Sequence, residues 1–217
     1  MKKSVCFILL FLICFSNNIV LGKSLKSNVS NQGLIFIEEK IYDICFFENN
    51  GVKVRYSSDK EVDKEKSMII EKIKEQDIGN IIEESYNELH IRTSINEDLN
   101  IKIYKDLDKT IVEEEIINYS SEKKISKLMK ELTELQTKYA KDIRYFQYIK
   151  GKINNKNTAI DKIKKIQEMK NINTLDIHNG YVGTANLYNG ERVNFSVCTY
   201  NTGSYLVIGT PVIFTTY

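Results

Sequence analysis

The sequence predicts an α+β fold, a duplicated strand-helix-antiparallel-sheet unit preceded by a signal peptide. Three observations carry this. A strand pattern, a helix pattern and a run of further strand patterns succeed one another in residues 51–139, and the same order returns in residues 140–217. Asn179-Gly180 and Asn189-Gly190, with Asn201-Thr202-Gly203 after them, punctuate the last part as hairpins, because Asn-Gly supplies the turn geometry that matches strand twist. Before all of this stands a basic and then apolar leader.

Met1-Lys2-Lys3, the apolar run Val5–Phe15 and the Val20-Leu21-Gly22 step read as a secretory signal peptide, residues 1–22, cleaved after Gly22. Left uncleaved, Val5–Leu21 is nearly long enough to span a bilayer and would be the membrane contact of the protein. Residues 23–50 form an N-terminal segment and helix. Leu34, Ile37, Ile41 and Ile44/Cys45 recur at helical spacing, and Asn49-Asn50-Gly51 is expected to stop that helix.

In the first repeat, residues 51–139, VKVRY (52–56) alternates, with Val52, Val54 and Tyr56 inward. Ser58 with Glu61 has the pattern of a capping box for a helix carrying Val62, Ile69 and Ile73. Strands follow at 80–86, at 88–95 with Leu89, Ile91, Thr93 and Ile95 inward, at 99–105 with Leu99, Ile101 and Ile103 inward, and at 110–119. Ile125, Leu128, Leu132, Leu135 and Tyr139 then mark a helix capped by Ser120 or Ser121.

In the second repeat, residues 140–217, DIRYFQYIK (142–150) is a strand and Thr158 with Asp161 opens a helix bearing Ile160, Ile163 and Ile166. A four-strand meander ends the chain. Its last strand is expected to bend at Gly209-Thr210-Pro211 and continue through Val212–Tyr217, so that loss of Val212–Tyr217 would prevent folding.

At Arg192–Tyr217, RVNFSVCTYNTGSYLVIGTPVIFTTY, the sequence resembles the YwmB-like family, exported proteins of spore-forming bacteria with a TATA-box-binding-protein-like fold. The hairpin into Ser204-Tyr205, the Ile208-Gly209-Thr210-Pro211 step and the terminal Thr216-Tyr217 carry the likeness, and the leader and element order agree with it. The resemblance implies a saddle and an extracytoplasmic location, secreted or on the outer face of the membrane. It transfers no catalytic residue, and a fold does not by itself carry a function.

The chain has 31 Lys+Arg and 29 Asp+Glu, and the excess of +2 leaves with Lys2 and Lys3 of the leader. A neutral mature chain lacks the cationic excess that binds nucleic-acid phosphates, so no nucleic-acid partner is expected. Lys150–Lys170 holds seven lysines against Asp161 and Glu168, which reads as a solvated helix face. With two histidines far apart and no paired-ligand spacing, neither a metal nor a cofactor is expected. Glu113 and Glu115 share a strand face but lack the ligand loop of a calcium site. Of the four cysteines, Cys45 and Cys198 follow the leader. They form either one disulfide or two buried thiols.

The reading is therefore a non-enzymatic, exported binding or interaction protein of the cell envelope, whose partner is an envelope protein or a wall polymer. Tyr188, Arg192, Asn194, Ser196 and Tyr200 are the candidate binding patch, placed on the sheet face opposite Val193, Phe195 and Val197. The alternative is an envelope enzyme using Cys198 and His178. DNA binding ranks third.

Overall fold

In the computed structural model, residues 32–215 are described. The leader, its cleavage point and Thr216-Tyr217 lie outside them. Each half begins with a long strand. β1 (Phe46–Ser58) leads into helix α2 (Val62–Glu75) and the meander β2 (Asn80–Glu84), β3 (Glu88–Ser94), β4 (Glu97–Asp106) and β5 (Lys109–Asn118). Helix α3 (Ile125–Leu135) then connects to β6 (Lys141–Ile153). That strand leads into helix α4 (Lys156–Ile163) and the meander β7 (Met169–Ile177), β8 (Gly180–Leu187), β9 (Arg192–Tyr200) and β10 (Gly203–Thr210). A 3-10 turn, Gly33–Phe36, and the short helix α1 (Glu38–Tyr42) precede β1.

All ten strands join one antiparallel sheet in the order β2-β3-β4-β5-β1-β6-β10-β9-β8-β7. The connectivity is the same on both sides of the β1–β6 pair: in each half the fourth meander strand returns beside the long first strand. The helices pack on one face. There Val52, Val54, Ile101, Ile103, Val112 and Ile116 of the first half meet Ile69, Ile73, Leu128 and Leu132 of α2 and α3. Ile149, Val193, Phe195, Leu206 and Ile208 of the second half meet Ile160 and Ile163 of α4. Burying this many branched aliphatic side chains, each contributing about 1.5–3 kcal/mol, drives the assembly.

Several local expectations are corrected. Asn49-Asn50-Gly51 does not end a helix; it lies inside β1, and α1 stops at Tyr42. Gly51 is needed there because a Cβ would overlap the Tyr148 ring on β6. Asn50 is buried and bonded on both sides: its amide donates to the Lys123 carbonyl at 3.0 Å, and its oxygen accepts from Asn118 at 2.8 Å. Ser58 does not cap α2 but donates to Glu65 Oε2 at 2.8 Å from the end of β1.

Neither Ser120 nor Ser121 caps α3. Its first amide, Ile125 N–H, donates to Glu38 Oε1 at 3.1 Å, so a carboxylate from α1 serves the helix start. Tyr139 falls beyond the end of α3. Asn155, not Thr158, caps α4, accepting from the amides of Asn157 and Thr158 at 2.9 and 3.1 Å. Ile95 points into solvent from the β3–β4 turn, 94% exposed. The three turns of the last meander stand where expected, but neither Asn179 nor Gly180 has a positive φ; Gly180 is required because a Cβ would strike the Val197 carbonyl.

The largest correction concerns the end of the chain. β10 stops at Thr210, and Val212–Thr215 is not strand. Beyond a cis Thr210–Pro211 bond the chain leaves the ladder and lies on the face of the sheet that carries no helix among the described residues.

Candidate functional site

The helix-free face is built from the side chains that alternate with the core. Strand register aligns one row across its middle: Arg92, Asp98, Ile117, Gly51, Tyr148, Gly209, Asn194 and Thr184. Tyr148 stands between two glycines, so its ring settles over Gly51 on one side. On the other, the Ile213 side chain comes within 3.0 Å of where a Gly209 Cβ would be. Phe214 meets the Tyr148 ring edge-on at 4.9 Å and Phe146 at 6.5 Å, and Lys53 Nζ lies 5.0 Å from its centroid. Asn194 donates its amide to the Pro211 carbonyl, and Thr215 lies beside the Tyr148 hydroxyl. The tail is held by side chains, without a ladder of its own.

The first half of this face is a lattice of opposite charges. Lys53 pairs with Glu115 at 3.5 Å, Arg55 with Glu113 at 3.7 Å, Lys102 with Glu88 at 2.8 Å and Arg92 with Asp98 at 3.7 Å. Glu113 and Glu115 share this face as expected, each opposite a cation on β1. Burial raises the Glu115 carboxyl, and the Lys53 ammonium offsets part of that rise. One pairing breaks the pattern: Arg55 lies directly opposite Arg144 on β6, and among the described residues Arg144 has no ion-pair partner.

The five predicted patch residues do not form one surface. Arg192, Asn194, Ser196 and Tyr200 share the helix-free side of β9, but Asn194 and Ser196 are buried, and Asn194 is occupied by the tail. Tyr200 lies 6.4 Å from the Tyr205 ring. Tyr188 sits in the β8–β9 turn with its ring 4.8 Å from Phe36 of the 3-10 turn, away from the other four.

Cys45 and Cys198 are free thiols on opposite sides of the sheet. Cys45 belongs to the helix-side core and donates to the Ile41 carbonyl; Cys198 contacts the Tyr181 carbonyl on the other face. Burial pushes the Cys45 thiol up to about 12 and raises that of Cys198 as well, the reverse of an activated nucleophile. His178 is exposed in the β7–β8 turn and makes no hydrogen bond to Cys198. Among the described residues no group of His, Cys, Asp and Glu is arranged to hold a metal, and no helix is long and apolar enough to cross a membrane.

Two features on the helix side escaped the sequence reading. Glu114, the middle of the acidic run, is fully buried; its Oε1 accepts from the Tyr56 hydroxyl at 3.1 Å and its Oε2 has no partner. Strict alternation from Glu113 and Glu115 was the signal that placed it inward. The second is a cleft of about 900 Å³ between the end of α2, α3 and strands β3–β5. Lys123 bridges Glu97 and Glu131 in its wall, and Thr93 donates to Glu97 at 2.6 Å.

No protein-family model and no curated protein sequence matches this chain.

Proposed function

We propose that this is an exported, non-enzymatic binding protein of the cell envelope, and that the helix-free face of its sheet is the binding surface. One observation carries the reading: residues 211–215 are seated across the middle of that face by aromatic, amide and cation contacts. A face that holds one extended segment in this way has the chemistry to hold another. The two five-stranded halves meeting at β1 and β6 support a TATA-box-binding-protein-like saddle, and with it the YwmB-like resemblance. The partner is an envelope protein or a wall polymer, reached after the leader has exported the chain.

The other readings draw less support. A thiol enzyme needs a lowered thiol pKa and a base in reach; Cys198 has its pKa raised, and His178 lies in a solvent-exposed turn. Duplex binding needs cations available to phosphate, whereas Lys53, Arg55, Arg92 and Lys102 on this face each have a carboxylate partner.

The test is site-specific photo-crosslinking in intact envelopes, with the reactive group placed at Asn186 or Lys102 on the helix-free face and at Lys127 on the helix side. Adducts confined to the first two positions are the expected result. Adducts from Lys127 alone, or turnover of an envelope substrate by the purified protein, would overturn the reading.

A further inference from the structure

We propose that the tail segment Ile213–Thr215 is an intramolecular stand-in for an extended peptide of a partner protein, one carrying a β-branched–aromatic pair next to an acidic side chain. This rests on the helix-free face being the binding surface and specifies what it binds.

The seat is preformed by the sheet. Gly51 lets the Tyr148 ring lie over β1, and Gly209, on the other side of Tyr148 in the cross-strand row, leaves a shelf floored by backbone. Tyr148, nearly fully buried, forms the wall; Phe146 and Lys53, directly paired across β6 and β1, form the aromatic and cationic sides. An aromatic ring fits edge-on against Tyr148 and under the Lys53 ammonium, and a branched aliphatic neighbour fits over Gly209. These are the places Phe214 and Ile213 take.

Among the described residues, the tail satisfies only part of this site. Arg55 and Arg144 face each other across β1 and β6, two residues along from the Lys53–Phe146 pair, and like charges placed so repel. Glu113 partly neutralises Arg55, but Arg144 has no ion-pair partner among the described residues. Val212, Ile213, Phe214 and Thr215 are all uncharged. Arg144 and Phe146 lie two residues apart on one strand face, about 7 Å. A carboxylate adjacent to the aromatic residue of a peptide reaches that distance. A partner peptide with such a carboxylate therefore makes the contacts of the tail and one more.

The tail is also displaceable. It has no strand ladder, so its departure leaves every hydrogen bond of β10 with β6 and β9 in place. While seated, it lowers the affinity of any competitor in proportion to the fraction of time the site is closed.

The experiment measures fluorescence anisotropy of a labelled peptide containing Val-Ile-Phe-Glu-Glu against the full-length protein and its Phe214→Ala and Arg144→Glu variants. Phe214→Ala should bind roughly tenfold more tightly than wild type, as expected for a site closed about nine-tenths of the time. Adding Arg144→Glu to that variant, or replacing the two glutamates of the peptide by lysines, should each weaken binding roughly tenfold. Equal affinity for wild type and a folded Phe214→Ala protein, or no binding to either, overturns the proposal. If Phe214→Ala does not fold, carboxypeptidase digestion of wild type decides. Saturating peptide must speed removal of Ile213–Thr215, and unchanged digestion overturns it. A wild-type dimer with tails exchanged between copies would name a different occupant and also overturn it. Photo-adducts from the helix-free face to a wall polymer, without peptide binding, would sink this inference and leave the broader binding reading standing.

Discussion

Tyr56 and Glu114 face each other in the closed layer between sheet and helices, the phenol donating to one carboxyl oxygen at 3.1 Å while the other oxygen has no partner. Burial raises the Glu114 pKa from 4.5 to about 8, and the Tyr56 bond and the more distant Lys72 ammonium only partly offset this. The surrounding groups are Tyr56 from β1, and Glu65 and Lys72 from α2; Glu65 in turn accepts from Ser58 and Thr137. Between pH 4.5 and about 8 the folded state keeps a proton that the unfolded chain has lost, so unfolding free energy falls as pH rises. The contribution is fully present below 4.5 and gone above about 8. Urea denaturation of wild type should show that decline, and Glu114→Gln should flatten it. Parallel pH profiles for the two proteins would disprove the assignment.

Phe214→Ala removes an aromatic contact and a cation–π contact from a half-buried tail and should cost about 1–2 kcal/mol in a urea melt. The fold should persist, because the core residues of β10 are Leu206 and Ile208 on the opposite face. This replaces the expectation that the terminal residues are indispensable. A loss of cooperative unfolding in Phe214→Ala would restore it.

Gly51→Ala sets a methyl group into the Tyr148 ring and should destabilise by about 1–3 kcal/mol, the usual cost of overpacking. The cost should shrink in a Tyr148→Ala background, where the ring is gone. A double-mutant cycle with no coupling between the two positions would show that the glycine serves another purpose.

Cys45 and Cys198, buried and with raised pKa values, should resist thiol reagents in the native protein and react fully in denaturant. Peptide mapping after labelling distinguishes them from Cys6 and Cys14. Rapid native labelling at Cys198 would reopen the thiol-enzyme alternative.

Much of the architecture was legible in local pattern. Alternation placed Val52, Val54 and Tyr56 inward, helical spacing placed Leu128 and Leu132, and Asn-Gly steps located the last hairpins. What was not legible depends on residues far along the chain. Gly51 reads as a helix stop until Tyr148 is known to lie beside it, and the start of α3 lacks a local cap because Glu38 supplies one from a different helix. The tail misled for another reason. Val212, Ile213 and Phe214 are apolar enough for either side of a sheet, and only the Tyr148–Phe146–Lys53 seat decides which. Tyr188 packs on Phe36 instead of joining the other patch residues because a turn residue does not obey the alternation of the strand that follows it.

The placement of β1 and β6 at the centre of the sheet makes its lateral borders internal segments, β2 and β7. β2 spans only Asn80–Glu84, has a register shift and ends in Glu83 and Glu84; β7 is interrupted near Asn171, which has a φ of 52°. Short, charged or kinked borders are poor templates for a further strand. Molecules of this kind can crowd together without zipping edge to edge into fibrils.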